Sequence, residues 1–67
     1  MKRNWIKTLD DNYINLDKCE YINIEHDGRR WNVVARMGHH RYILEDNLES
    51  AIDARDSLHT IISNLEY

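Results

Sequence analysis

The hydrophobic periodicity of this 67-residue chain changes once, near residue 47. Before that point apolar and polar residues alternate, most regularly over residues 21–26, and an alternation of period two is typical of half-buried β-strands. After that point apolar residues recur at spacings of three and four, which is the spacing of one face of an α-helix. The sequence therefore predicts an α+β fold in which short strands come first and one C-terminal helix follows.

Turn-forming residues divide the alternating region into five predicted strands. These are residues 5–9, 13–16, 21–26, 30–36 and 41–44. The dipeptide Asp27-Gly28 predicts a two-residue hairpin of type I′, and residues 37–40 predict a second turn. Because every connection is short, we expect a five-stranded antiparallel meander that is strongly curled or forms a partial barrel.

The last third of the chain predicts one helix over about residues 48–66. Its apolar positions are Leu48, Ala51, Ile52, Leu58, Ile61, Ile62 and Leu65. Asn47 is one candidate N-cap, and the alternative is Ser50 with Asp53 three residues later, which is close to a capping box. Either start gives a helix of about 17–19 residues, or roughly 27 Å. We expect its apolar stripe to pack on one face of the sheet rather than to form a helix-to-helix contact.

A single helix covers only one face of such a sheet. The residues expected on the covered face are Ile14, Leu16, Ile22 and Ile24, with Trp31, Val33 and Ala35 as further candidates. The opposite parity still carries Tyr13, Tyr21, Val34 and either Trp5 with Leu9 or Ile6. Apolar surface of this extent is seldom left in water. We therefore expect the sheet to curl on itself, to pair with another copy or to bind a ligand, and homo-oligomerisation is a separate prediction.

The size and the cysteine content narrow the class of protein. A chain of 67 residues is expected to form one domain that buries only roughly 60% of its unfolded surface. The single cysteine excludes an internal disulfide framework and favours a reducing compartment. Because the sequence has no long apolar run and no signal-like leader, we expect neither a membrane span nor secretion, and we expect a cytoplasmic location.

The charge of the chain is unevenly distributed. Residues 26–41 carry four arginines against one aspartate, a net charge of +3, inside a chain whose formal net charge is −3. The residues before this segment have four bases and five acids, a net charge of −1, and those after it have one base and six acids, a net charge of −5. Guanidinium groups offer forked donors that match phosphate and carboxylate, and aromatic rings stack with nucleobases.

We therefore expect an anionic, phosphate-bearing ligand to bind at the basic segment. The candidate ligand-binding residues are Arg29, Arg30, Trp31, Arg36, His40, Arg41 and Tyr42. The competing interpretation is that the arginines are solvated hairpin ends or pair with acids of the helix. Successive turns of a meander lie at opposite ends of the sheet, so Arg30 and Arg41 lie near each other only if they pair across strands.

Other clusters of reactive side chains give weaker signals. The pair His39-His40 lacks the converging spacing of metal ligands, because adjacent residues of a strand point to opposite faces. The pair Asp10-Asp11 lacks the pattern of a calcium-binding loop. No nucleophile motif surrounds Cys19. We expect no metal, no cofactor and no enzymatic activity.

The order of the segments also resembles a kind of small protein found in bacteria and their phages. The resemblance is carried by Trp5-Ile6-Lys7-Thr8, the acidic turn after it, Tyr13-Ile14-Asn15-Leu16 and the strand with Ile22 and Ile24. It covers nearly the whole chain in pattern, and in such proteins a pleckstrin-like meander is followed by one helix. Some phage proteins of this size are counter-defence factors that block a host protein or sequester a nucleotide signal. The resemblance implies such a role, in the host cytoplasm if the chain is phage-encoded.

Taken together, these observations predict a small non-enzymatic binding protein that holds a nucleotide-like ligand. The alternative is an inhibitor or adaptor whose acidic helix face, formed by Glu49, Asp53 and Asp56, meets a basic partner protein. Duplex nucleic acid is not favoured as a partner, because phosphate contacts supply most of the non-specific affinity and the net charge of this chain is negative.

Overall fold

The computed structural model describes residues 4–65, which form five antiparallel strands in two sheets and one helix. The strands are β1 (Trp5–Lys7), β2 (Tyr13–Asn15), β3 (Tyr21–Asp27), β4 (Arg30–Met37) and β5 (His40–Leu48), and the helix is α1 (Ala51–Ser63). β1 pairs with β2, while β3, β4 and β5 form a second sheet in that order. The predicted α+β class is confirmed. The predicted single meander is wrong, because the strands form two sheets that do not close into a barrel.

The break between the two sheets follows β2. Leu16–Lys18 forms a 3-10 turn capped by Asn15, whose side-chain oxygen accepts a hydrogen bond from the Asp17 N–H at 3.0 Å. This turn takes the chain out of β2 after three residues, so β2 and β3 do not pair. The far end of the β1–β2 hairpin meets β5 instead, where the Leu9 N–H donates to the Ile43 carbonyl at 3.0 Å.

The first strand is shorter than predicted because a tight turn follows it. The Thr8 N–H donates to the Asn12 carbonyl at 2.7 Å, and the Asp11 N–H donates to the Thr8 carbonyl at 3.1 Å. Asp11 has a φ of 67°, in the left-handed region that aspartate tolerates better than most residues. Residues 8–9, which the sequence predicts as strand, therefore belong to the turn.

Both hairpins of the three-stranded sheet have two-residue turns with glycine in the first place. The pairs that flank the turns are Asp27–Arg30 and Met37–His40, and the turn residues are Gly28-Arg29 and Gly38-His39. Gly28 has a φ of 63° and Gly38 a φ of 59°, whereas the second residue of each turn has no positive φ. Positive φ at the first position alone is the type II′ pattern. The predicted type I′ turn at Asp27-Gly28 is wrong, because Asp27 still belongs to the ladder; the second predicted turn is confirmed.

The hydrophobic core lies between the hairpin, the helix and one face of the three-stranded sheet. Its buried members are Ile14, Leu16, Val33, Ala35 and Leu44. Leu58 and Ile61 of α1 and Ile22 of β3 pack against this cluster as half-buried side chains. Four of the predicted core residues are thus confirmed as buried. Because the hairpin and the helix both contribute to one cluster, they cover the same face of the sheet, which we call the covered face.

The opposite face of the sheet, which we call the open face, has no second layer within residues 4–65. Its residues are Tyr21, Asn23, Glu25 and Asp27 on β3, Arg30, Asn32, Val34 and Arg36 on β4, and Arg41 and Ile43 on β5. The open face is more polar than the sequence suggests. Trp5 and Tyr13, two of the aromatic residues expected opposite the helix, are exposed on the β1–β2 hairpin instead.

The helix is shorter than predicted and starts at the later of the two candidate caps. α1 has 13 residues, and Ser50 is its N-cap, because the Ser50 Oγ accepts a hydrogen bond from the Asp53 N–H at 3.1 Å. The predicted length of 17–19 residues is therefore wrong, and residue 66, its predicted end, lies outside the described residues. No helix within residues 4–65 is long and apolar enough to cross a membrane.

The earlier candidate cap, Asn47, belongs to β5 instead. It has a φ of 59° and lies where β5 has one more residue than β4, between the pairs Val33–Glu45 and Trp31–Leu48. Its N–H donates to the side-chain oxygen of Asn32 at 3.3 Å. This bulge lets β5 continue to Leu48, four residues past its predicted end.

Candidate anion-binding site

The four arginines of the basic segment divide between the two ends of the three-stranded sheet. Arg29 and Arg30 lie at the β3–β4 turn, whereas Arg36 and Arg41 lie beside the β4–β5 turn. Along β4 the distance from Arg30 to Arg36 is about 20 Å at the rise of an extended strand. The seven predicted ligand-binding residues therefore do not form a single site.

One end of the open face carries an aromatic ring and two guanidinium groups in line. Tyr21 pairs with Arg36, and Arg36 pairs with Arg41, so the three side chains stand at the same level on three adjacent strands. The Arg36 Cζ lies 5.9 Å from the centroid of the Tyr21 ring, within the range of a cation–π contact. We call these three residues the arginine row.

The two arginines of the row are close neighbours across the ladder. A two-residue turn makes the pair that flanks it hydrogen-bonded, and pairs then alternate, so Arg36 and Arg41 form a non-hydrogen-bonded pair with Cα atoms roughly 4.5 Å apart. The same alternation turns the Ile43 carbonyl away from β4, in agreement with the hydrogen bond that it accepts from Leu9. Like charges directly opposite each other destabilise a sheet, so this pair needs a counter-charge.

Glu25 supplies one counter-charge. Its Oε1 accepts hydrogen bonds from Arg41 Nε at 2.8 Å and from Arg41 Nη2 at 2.5 Å. The hydrogen bond from Arg41, helped by the positive charges of Arg41 and Arg36, holds the pKa of Glu25 below its ordinary value despite partial burial. In return, the hydrogen bond to Glu25 raises the pKa of Arg41.

This ion pair crosses the central strand. Glu25 lies on β3 opposite Asn32, and Arg41 lies on β5 opposite Arg36. Val34 lies between Asn32 and Arg36 on the same face of β4. The ion pair between Glu25 and Arg41 therefore crosses the strand at Val34. Val34 is only 1% exposed, because the long stems of the polar side chains cover it in place of a second layer.

The counter-charge at the arginine row is incomplete. Arg41 is paired with Glu25, whereas Arg36 forms no salt bridge with any residue of the described chain and contacts the Tyr21 ring instead. Within residues 4–65, Glu25 is thus the carboxylate in salt-bridge contact with the row. The Glu20 carboxylate lies at the same end of the sheet, where it accepts a hydrogen bond from the Gly38 N–H at 2.8 Å.

The other predicted site residues lie away from the row. His40 and Tyr42 have the opposite parity, so their rings, with centroids 6.0 Å apart, lie on the side of the covered face. Trp31 lies at the far end of the sheet, where it stacks on His26 with centroids 4.1 Å apart and planes at 8°. Of the seven candidates, Arg36 and Arg41 alone share the row.

Of the acids predicted on the helix, Glu49 pairs with an arginine of the basic segment, but its predicted place in the helix is wrong because α1 begins at Ala51. Arg30 Nη1 lies 3.7 Å from an oxygen of Glu49, and both side chains are largely exposed. A surface pair of this length contributes little to stability. Arg29 forms no salt bridge within residues 4–65.

Tyr21 and Glu25 are functional candidates that sequence reasoning missed. Both follow from register: once the turn at Gly38-His39 places Arg36 opposite Arg41, the preceding hairpin places Tyr21 on the same line. The signal was present in the two Gly-containing turns, since each turn fixes the register of the strands that it joins.

No deep cavity adjoins the row among the described residues. The cleft nearest to it has a volume of about 180 Å³ and is lined by Leu9, Asp10, Arg41, Tyr42 and Ile43. Cavities that enclose small molecules typically measure about 300–1,000 Å³. A ligand at the row would therefore lie along the surface of the sheet rather than inside the protein.

The described residues offer no group of three or more His, Cys, Asp or Glu side chains arranged to hold a metal ion. Cys19 is half-buried, and burial raises the pKa of its thiol, which disfavours the reactive thiolate form. The arginine row is therefore the candidate functional site of the described chain.

No family model, curated protein or solved structure matches this chain.

Proposed function

We propose that this protein binds a phosphate-bearing, nucleotide-like ligand at the arginine row of the open face. The observation that carries the proposal is the cross-strand pair Arg36–Arg41, which has a single carboxylate, Glu25, as its counter-charge. A bound anion would supply the second counter-charge and would relieve the repulsion between the two guanidinium groups.

The donors that such a ligand needs are present on both arginines. A guanidinium group has five N–H donors, and Arg41 directs only Nε and Nη2 at Glu25. The remaining Arg41 donors and those of Arg36 are available to phosphate oxygens, which planar forked donors bind well. Tyr21, which is 47% exposed, offers a ring face beside them on which a base can stack.

The proposed mode of action is stoichiometric. A protein that holds a nucleotide without converting it lowers the free concentration of that nucleotide in proportion to its own abundance. Sequestration of a nucleotide signal is the use that the resemblance to small phage counter-defence proteins implies. The shape of the open face supports a ligand that lies flat, since the cleft beside the row, at about 180 Å³, is too small to enclose one.

The test is isothermal titration calorimetry with a panel of nucleoside phosphates and cyclic dinucleotides. Two double variants remove the same charge at opposite ends of the sheet: Arg36→Ala/Arg41→Ala in the row, and Arg29→Ala/Arg30→Ala at the β3–β4 turn. We expect the row variant to weaken binding by about tenfold or more, because each charge-assisted hydrogen bond contributes roughly 1.5–3 kcal/mol. The turn variant should bind within about twofold of the wild type once salt is matched.

Two results would count against the proposal. The first is an absence of heat from the wild type with every member of the panel at millimolar concentration. The second is equal weakening by both double variants, because this would show that net charge rather than the row determines binding.

A protein–protein inhibitor is the second candidate function. Asp53 and Asp56 are exposed on α1 and form no salt bridge within residues 4–65, so they remain available to a basic partner. Chemical crosslinking to a captured partner at Asp53 and Asp56, with no loss on the Arg36→Ala/Arg41→Ala change, would favour this function over nucleotide binding.

A further inference from the structure

The two edges of the three-stranded sheet are protected to different degrees. β5 is shifted twice in its register with β4, and at Ile43 its outer edge is met by Leu9 of the hairpin. β3 pairs with β4 over seven consecutive residues without a shift, and it contains no proline, glycine or lysine. Bulges, prolines and lysines are the usual means by which proteins stop an edge strand from pairing with another chain. β3 has none of them.

The outer edge of β3 presents a regular row of backbone groups. The pair Asp27–Arg30 flanks a two-residue turn and is therefore hydrogen-bonded. By alternation, the N–H and C=O groups of Ile22, Ile24 and His26 point away from β4. No backbone hydrogen bond within the described chain satisfies these outward groups. The edge thus has three free donor–acceptor pairs at a spacing of two residues.

We propose that β3 pairs antiparallel with β3 of a second copy of this chain, which would join the two three-stranded sheets into one of six strands. The two-fold axis passes between the Ile24 residues of the two copies. Ile24 then faces Ile24 of the partner subunit, and Ile22 faces the partner's His26. This register pairs all seven residues of β3. Each of the three outward pairs then exchanges two N–H···O=C bonds.

Charge and the number of paired residues favour this register over its neighbours. With the axis at Ile24, Glu25 faces the partner's Asn23, and Asp27 faces the partner's Tyr21, so no like charges oppose each other. A shift of the axis to Glu25 would place two glutamates directly opposite each other, which destabilises a sheet. A shift to Asn23 would leave two residues of β3 without a β3 partner.

The dimer would extend the open face without covering it. Tyr21, at one end of the arginine row, would stand beside the partner's Asp27, and Arg30 of the partner subunit would stand on the next strand. Three strand spacings would then separate Arg36 from the partner's Arg30, about 14 Å. The proposal does not depend on ligand binding, because the pairing uses backbone groups at the other edge of β3.

The test uses substitutions of opposite charge at Asn23, which is exposed and lies outside the arginine row. The mass and the dissociation constant of the protein without nucleotide are measured by analytical ultracentrifugation. We expect a dimer for the wild type. Asn23→Glu places a carboxylate opposite Glu25 of the partner subunit at two symmetry-related positions, so it should weaken the dimer by about tenfold. Asn23→Lys places an ammonium group there and should leave the dimer equal or tighter.

A second measurement tests the edge itself. In the wild-type dimer, amide hydrogen exchange at Ile22, Ile24 and His26 should slow as protein concentration rises through the dissociation constant, while exchange at Asn23 and Glu25 changes little. A wild type that is monomeric at millimolar concentration would overturn the proposal. So would a dimer that Asn23→Glu and Asn23→Lys weaken equally, since that outcome places the axis at Asn23, and so would concentration-independent exchange at the three outward amides.

Discussion

Val33 and Val34 are neighbours on β4, yet they lie on opposite faces of the same sheet and are buried by different means. Val33 is 0% exposed within the core cluster, beneath the hairpin and the helix. Val34 is 1% exposed although no element covers its face, because the Arg41–Glu25 ion pair spans it. The covered face is therefore ordered by apolar packing, and the open face by long polar side chains.

The two faces also differ in the room that they leave for a ligand. Packed apolar side chains fill a core to near-crystalline density and leave no room for a ligand. Charged side chains on the open face keep their polar ends accessible, and Arg36 of the arginine row forms no salt bridge with any residue of the described part of the chain. The stabilising layer of the open face is thus also the surface that a ligand would contact.

The matched substitutions Val33→Ala and Val34→Ala test whether the two faces are packed differently. Both remove the same atoms from sites that are almost fully buried. We expect Val33→Ala to lower the free energy of unfolding by about 2–3 kcal/mol, because a cavity remains among packed neighbours. Val34→Ala should cost only about 1 kcal/mol, since the flexible side chains above it can close the gap.

Urea denaturation of the two variants, followed by circular dichroism, gives both values. Unchanged m-values confirm that the denatured states are comparable. Equal losses of stability would contradict the distinction between the faces, because they would mean that Val34 sits in a core as rigid as that of Val33.

The fold class was predictable from the sequence because periodicity reports which residues face a core. Ile14 and Leu16 are two residues apart, as are Val33 and Ala35, and all four side chains are buried. The division into two sheets was not predictable from parity, since it follows a 3-10 turn that Asn15 caps by accepting a hydrogen bond from the Asp17 N–H. That turn competes with strand pairing through one local side-chain contact.

The helix boundary illustrates a second limit of sequence reasoning. Asn47 and Ser50 are both good N-caps by residue type. Tertiary structure decides between them, because β5 carries a bulge in which Asn47 takes a φ of 59° and donates to Asn32. Asparagine suits that conformation as well as it suits a cap.

The sequence predicted which residue types form the candidate site, but it did not predict where they lie on the sheet. The segment charge identified four arginines as the basic part of the chain. Their division into two groups follows from strand length, since β4 places Arg30 and Arg36 at opposite ends. Tyr21 and Glu25 join the site through pairing with a different strand, which segment charge does not report.

A smaller effect tests the ion pair of the open face. Because Arg41 lowers the pKa of Glu25 in the folded protein, the pair stabilises the fold fully above the ordinary pKa of about 4.5. This contribution is lost as pH falls through the lowered pKa of the folded state. Glu25→Gln should therefore reduce stability near neutral pH, by less than about 1 kcal/mol because the pair is partly exposed.

The same loss should disappear in acid. Thermal unfolding of the wild type and of Glu25→Gln, measured at several pH values from neutral down to about 3, should give curves that converge as Glu25 protonates. A difference that persists unchanged at the acid end would mean that the side-chain amide perturbs packing and that the ion pair does not account for the effect.

The most direct test of the arginine row is an NMR titration with adenosine monophosphate at constant ionic strength, observed at the Nε–Hε groups of the arginines. The row predicts that the signals of Arg36 and Arg41 move in a saturable way, while those of Arg29 and Arg30 stay within the shifts produced by salt alone. Equal shifts at all four arginines, or larger shifts at Arg29 and Arg30, would contradict the assignment of phosphate binding to the arginine row.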